Sequence, residues 1–429
     1  MKSTFGPALL LSVSVLGSSP GCKKSEPAPA GALSAVPVAP TAPPVTTGAP
    51  PAETRPSLAL PGMAGAKNAP PAPPPPTECR ALVMVATPSE APFEEGKSPP
   101  LVPPTSYTTL DIRIGPETSL AQAPGLVVRD GGRTFALQVG RADVSAKEGK
   151  IDVADTWDQL DAVDLASGAR ATWFEERAKS ADMAKDMQDD DMGVQGMDAQ
   201  SLVHVVGIVG PVVSFFHQST GYAGGAHGYD GTGVVALAAP DGRRVTVDSY
   251  AADYAAAAAT EATRVEAARK ASGDEGFEAS SVNAEALARS GLGLDPGNWM
   301  AGPLTETEVA RRAAMPLGLY GYTRIDCCSW AENHNQLDLT IPVAMPDALA
   351  EVTGRPSPGP DRLLVAPNGC GAVGLKDGVV LTRHGENGAV AKHTLAGPTP
   401  VGLIGVYWIP GSDPVDIRKL PAPMASISE

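Results

Sequence analysis

The 429-residue chain is poor in aromatics, with Phe, Trp and Tyr at 5% together. A core must therefore be built from Val, Leu, Ile and Ala. Charged residues are scarce too, at 19%, and they sum to −15. Phosphate binding needs clustered Lys and Arg, so nucleic acid is excluded as a partner class. Anionic lipid headgroups would repel such a chain unless a covalent anchor held it to them. The acidic balance serves solubility and would draw a cationic partner. No apolar run reaches the roughly 20 residues of a membrane-spanning helix. Beyond residue 22 there is no Gly-x-Ser-x-Gly nucleophile elbow, and the chain has no Cys-x-x-Cys. Penicillin-binding and deacetylase signatures are absent as well. No reaction is named by these residues, and no cofactor is expected.

What is abundant is proline and glycine, 43 and 46 residues, unevenly spread. Met1-Lys2 supplies a positive start, and Ala8 to Leu16 is a short apolar run followed by small residues. That run is too short to span and reads as the core of a signal peptide, residues 1–21. Cys22 after small residues resembles a lipobox, with Pro20 departing from its commonest pattern. The expectation is a lipidated Cys22, anchored at roughly 0.8 kcal/mol per buried methylene. The stretch to Pro76 is almost entirely Pro, Ala, Ser, Thr, Gly and Val, ending in four consecutive prolines. It buries too little to offset its ordering entropy, so residues 22–76 are expected to form a disordered tether. Fully extended in the polyproline form it reaches at most about 170 Å. The expected address is the bacterial cell envelope, lipid-anchored to a membrane and facing the periplasm or exterior.

Beyond the tether the pattern is α+β. The reading is a mixed or antiparallel sheet with one long helix after a hairpin, over residues 77–349, and a small β-rich tail at 350–429. Ala81 to Thr87 reads as a buried strand, and Thr108 to Ile114 alternates like a half-exposed one. Asp155 to Ser167 is ambiguous between strand and turn. Ser201 to Val209 and Val212 to His217 are strands around a Gly-Pro break. Gly233 to Ala238 and Arg244 to Val247 flank an Ala-Pro-Asp-Gly turn. Asp248 to Ala271 is Ala-rich with basic residues near its end, which predicts the long helix. Shorter helices are expected at Asn283 to Ser290 and Glu306 to Ala314, and a strand at Leu337 to Val343.

The segment Tyr222-Ala223-Gly224-Gly225-Ala226-His227 lies between strands and is followed by a hairpin and the helix. It resembles an extracytoplasmic domain family marked by Tyr-x-Gly-Gly-Ala-His. That family occurs in the ectodomains of lysozyme-sensing anti-sigma factors and beside some peptidoglycan deacetylase domains. The likeness covers Leu202 to Ala271 best. The family's usual Pro after the His is Gly228 here. What the resemblance implies is a binding or sensing domain for a cell-wall glycan or an envelope protein, such as a lysozyme-like one. It implies no reaction. Tyr222, Gly224, Gly225, His227 and Tyr229 are the expected ligand-binding residues.

Other constellations are weaker. Gly224-Gly225 permit positive φ and close backbone approach, a tight bend that aims His227 at a neighbour. His217, His227 and Asp230 hold zinc-compatible groups, but not at a recognised zinc spacing. Met183, Met187, Met192 and Met197 flank Asp189-Asp190-Asp191, which lacks the alternation of a Ca²⁺ loop and reads as an acidic loop or amphipathic helix. No metal ligand set and no catalytic residue follow. Cys79, Cys327, Cys328 and Cys370 remain after Cys22, and an even number in an exported chain argues for two disulfides. Three pairings are open. The preferred one joins Cys79 and Cys370 each to one of Cys327 and Cys328, because an adjacent bridge is strained. The function reading is a non-enzymatic envelope lipoprotein that binds or senses a ligand. The alternative is a peptidoglycan or polysaccharide hydrolase using scattered carboxylates or a His-bound metal.

Overall fold

The computed structural model describes residues 79–88, 105–115, 118–177, 179–186, 196–222, 229–271, 279–297, 310–312, 314–327, 335–357, 362–375, 379–384, 390–395, 402–422 and 424. The chain divides between Pro73 and Pro74 into two units, and the described residues all belong to the second. The signal peptide, Cys22 and the tether lie outside them.

Most strands join one large sheet. They are β1 (Cys79–Pro88), β2 (Thr105–Ile114), β3 (Ser119–Pro124), β4 (Leu126–Asp130), β5 (Arg133–Glu148), β6 (Ile151–Asp164) and β7 (Arg170–Glu175). After helix α1 (Ser180–Asp186) come β8 (Gly196–Val209), β9 (Val212–Tyr222), β10 (Tyr229–Ala238) and the two-residue β11 (Arg243–Arg244). Helices α2 (Tyr254–Ala271) and α3 (Ala284–Ala288) follow. A second sheet holds β12 (Ser290–Gly293), β13 (Leu319–Cys327) and β14 (Asn335–Val343). Helix α4 (Asp347–Thr353) leads to a third sheet of β15 (Arg355–Pro356), β16 (Leu363–Val365), β17 (Gly371–Leu375), β18 (Val379–His384) and β19 (Val390–Leu395). Finally β20 (Gly402–Ile409) re-enters the large sheet between β1 and β8.

That return overturns the expected tail domain at 350–429. β20 is antiparallel to β1 over Arg80↔Ile409 to Ala86↔Gly402 and touches β8 in parallel at Gly405↔Ile208. The last strand is an interior strand of the large sheet, so the fold is incomplete without it. A side-chain clasp reinforces the join. The buried Arg80 guanidinium donates to both Asp111 oxygens at 2.9 and 2.7 Å and to the carbonyls of Asp413 (2.5 Å) and Val415 (2.6 Å).

The unbroken apolar run of β1 has a physical reason: both faces are covered. Ala81, Val83 and Val85 face one core with α2, the second sheet and part of the third. Leu82, Met84 and Ala86 face another beneath β4, β5, β6 and β7. The large sheet branches to make this possible. The first half of β8 is parallel to β6 (Asp152↔Gly196 to Trp157↔Ser201), while its far end meets β20.

The ambiguous Asp155 to Ser167 segment is mostly strand, because its carboxylates are matched across the ladder. Arg141 binds Asp158 at 2.9 and 3.3 Å, and Arg133 binds Asp164 at 2.7 Å. The Arg133 hydrogen bond holds the Asp164 carboxyl below its ordinary range, with the Ala166 amide helping. The long helix starts six residues after the expected Asp248. Val247–Ser249 closes a 3₁₀ turn first, with Tyr250 N donating to the Val247 carbonyl at 2.9 Å. Along α2, Tyr254, Ala258, Ala262 and Val265 form one buried stripe. Small residues allow this close approach: a Cβ on Gly321 of β13 would run into the Tyr254 ring. α3 is capped by Asn283, whose Oδ1 accepts from Ala286 N at 2.9 Å. Most of the expected 306–314 helix and the Met/Asp segment lie outside the described residues.

The cysteine expectation is corrected as well. Cys79 is bonded to Cys370, with Cα atoms 5.8 Å apart. Both are buried in the same core, because the turn before β17 packs against the start of β1. Cys328 and the side chain of Cys327 lie outside the described residues. A disulfide fits an exported chain, and among the described residues no helix is long and apolar enough to cross a membrane.

Candidate functional site

β9 and β10 form a long antiparallel hairpin, paired from Ala238↔Val212 to Tyr229↔Gly221. Val213 and Phe215 pin one face to the core, and Phe216 and Val234 pin the other. The far half of β9 stays paired with β8 as far as Asp198↔Tyr222. Tyr222 is the last residue of β9 and Tyr229 the first of β10. The register brings these two strand ends together. Gly224, Gly225 and His227 lie outside the described residues, as does the side chain of Tyr229.

His217 is described, and its surroundings are specific. Its Nε2 lies 2.9 Å from Ser201 Oγ on β8 and 3.7 Å from a Glu176 oxygen. The Phe174 ring meets it edge-on, with centroids 5.1 Å apart. Burial lowers the His217 pKa; Glu176 opposes that shift and Arg244 adds to it. Ser201 is 3% exposed. Serine and glutamate share one ring nitrogen, which is not the arrangement of a proton relay. A relay needs the carboxylate on the nitrogen opposite the nucleophile. Of the His217, His227 and Asp230 grouping, His227 and the side chain of Asp230 lie outside the described residues; in the ladder His217 is opposite Gly233, three residues along from Asp230. Among the described residues no three His, Cys, Asp or Glu side chains converge on a metal-sized space.

A cleft of about 650 Å³ runs along β10 from Gly231 to Ala236. Glu176, His217 and Ser219 border it on one side, and Val245, Thr246, Ser249, Ala288 and Arg289 line it elsewhere. Arg243 and Arg244, paired with Ala238 and Leu237, also line it. It therefore carries three arginines against one glutamate, in a chain of net charge −15. Arg289 has an exposed ion pair with Glu285 at 3.2 Å. Among the described residues the guanidinium groups of Arg243 and Arg244 make no hydrogen bond or ion pair, and both residues are exposed. The fold creates this charge reversal by bringing the turn after β10 and the end of α3 to one strand edge. The adjacent Arg243-Arg244 pair after the Asp241-Gly242 turn was the one sequence signal for it.

No protein-family model and no curated protein matches the chain. Among solved structures, the crystal structure of a DUF3298 family member from Bacteroides fragilis is similar at 13% identity and a TM-score of 0.31. That similarity covers 48% of this chain and 90% of the other.

Proposed function

We propose that the chain is an envelope lipoprotein, held by a lipidated Cys22 and a Pro/Ala-rich tether, whose second unit is a non-enzymatic recognition domain. Its ligand is a cell-wall glycan with its attached peptides, or an envelope protein. The observation that carries this reading is the arginine-lined cleft along β10, the strand that begins at Tyr229. A cationic cleft in an acidic chain selects anionic groups locally without making the whole surface adhesive. The hydrolase alternative needs two carboxylates flanking the scissile bond. Among the described residues lining the cleft, Glu176 is the single carboxylate.

Two measurements test the proposal on the full chain. Labelled fatty acid should enter the chain, and Cys22→Ser should abolish that incorporation and release the protein from the membrane fraction. Co-sedimentation with purified peptidoglycan and titration against lysozyme test the ligand. Saturable binding weakened by His227→Ala, or by reversing Arg243 and Arg244 together, supports the recognition reading. Absence of binding to both removes it, and glycan cleavage by the wild-type chain replaces it with the hydrolase.

A further inference from the structure

We infer that the cleft along β10 takes a small zwitterionic ligand, an amino acid or a short peptide. Its free ammonium sits at Glu176 and its carboxylate between Arg244 and Arg289. This rests on the cleft being the binding site proposed above. The cleft carries both signs of charge, and the fold holds them apart. Glu176 stands just beyond the end of β7 and is exposed. Among the described residues its one ion contact is His217 Nε2 at 3.7 Å. That nitrogen is 2.9 Å from Ser201 Oγ, and burial holds the imidazole below its ordinary pKa. The ring is therefore uncharged at neutral pH, and it leaves the Glu176 charge uncompensated. Arg244, across the cleft on β11, makes no hydrogen bond or ion pair among the described residues and is exposed. Glu176 raises the pKa of the imidazole and Arg244 lowers it, so both charges flank one ring without pairing with each other.

A second guanidinium reaches the same face. Gly233 is directly opposite His217 in the ladder, so the two share one side of the sheet. A Cβ on Gly233 would meet the Arg289 Cδ at 3.9 Å, which places the Arg289 stem over that glycine. Arg289 holds Glu285 at 3.2 Å, with both side chains more than half exposed. Such a surface pair is weak, and a carboxylate entering the cleft competes with it. Gly231 and Gly233 add no side chains to the floor, and Ser219 borders it. The volume of about 650 Å³ fits a ligand of small-molecule size. A purely anionic ligand would set charge against Glu176, and a purely cationic one would meet three arginines. A ligand with separated charges of both signs satisfies each wall, and either single charge is disfavoured by the other wall. Of the ligands proposed above, this selects the peptides attached to the glycan over its sugars.

The test uses the full chain and the dipeptide alanyl-glutamate with free ends, titrated by saturation-transfer NMR, which detects weak binding. Two blocked forms are compared with it, one N-acetylated and one with its carboxylates amidated. The chain variants are Glu176→Gln and Arg244→Gln. Both residues are exposed, so the core stays intact, which an unchanged urea midpoint checks. The expected result is saturable binding of the free dipeptide and at least tenfold weaker binding of each blocked form. Glu176→Gln should weaken the free dipeptide about tenfold and leave the acetylated form unchanged. Arg244→Gln should weaken the free dipeptide and leave the amidated form unchanged. This crossed pattern separates a direct contact from a general distortion of the cleft. Equal binding of the acetylated form overturns the ammonium site, and equal binding of the amidated form overturns the carboxylate site. Variants that weaken all three forms alike overturn the assignment to these residues. Binding of peptidoglycan or lysozyme with no binding of the dipeptide overturns this inference and leaves the recognition domain standing. Dipeptide binding with neither macromolecule bound removes the ligands proposed in the previous section and upholds the zwitterion site.

Discussion

Replacing both Cys79 and Cys370 by alanine should destabilise the second unit by several kcal/mol. The bridge joins residues 291 apart. In the chain-entropy model a loop of that length removes about 19 cal/mol/K from the unfolded chain, an upper bound near 5.7 kcal/mol at 25 °C. Residual structure in the unfolded state lowers this, and about 3–5 kcal/mol is the working expectation. Lost packing at the two sites adds about 1 kcal/mol each. Trp157 and Trp173 are buried and report unfolding by fluorescence. With a urea slope of about 3 kcal/mol/M, the midpoint should fall by about 2 M. Treating the wild-type chain with a reductant that leaves both sulfurs in place should reproduce most of that shift, separating cross-link from packing. A double variant within about 0.3 M of wild type would refute the reasoning. So would peptide mapping that joins Cys79 to Cys327 or Cys328.

Three further outcomes are expected. Arg324 and Asp338 form a two-pronged pair at 2.6 and 2.9 Å with side chains 0% and 1% exposed. Asp338→Asn should cost about 3–5 kcal/mol by stranding the guanidinium, while Arg324→Met with Asp338→Leu should recover most of it in a urea double-mutant cycle. His204, hydrogen-bonded to Tyr107 Oη at 3.0 Å, has its pKa pushed down to about 4 by burial. Its unfolded form takes a proton near pH 6.5, so the unfolded chain binds more protons between those values. Stability from this group is complete above about 6.5 and falls by about 3 kcal/mol as pH drops towards 4. His204→Gln should flatten that part of the pH profile, and parallel profiles for variant and wild type would contradict it. Gly321→Ala should destabilise by about 1–3 kcal/mol or more, because the new methyl meets the Tyr254 ring; a thermal melt checks this.

Much of the fold was legible where local physics decides. The run at Ala81 to Thr87 announces a strand covered on both faces, as β1 is. The Asp241-Gly242 turn announces a chain reversal, and Gly242 there has φ +69°. Charge pairing across a ladder was not legible, because Arg133 and Arg141 come from a neighbouring strand, well before the aspartates they meet in sequence. Without those partners, Asp155 to Ser167 reads as ambiguous between strand and turn.

By itself the sequence determined the apolar strands, the turns, the Ala-rich helix segment and the acidic balance, because each depends on neighbours within a few residues. Tertiary structure alone decided that β20 closes the large sheet and that Cys79 meets Cys370. It also gathered Arg243, Arg244 and Arg289 around one cleft along β10. These are pairings across tens to hundreds of residues, and local propensity carries no record of which distant surface will cover a strand, a sulfur or a charge.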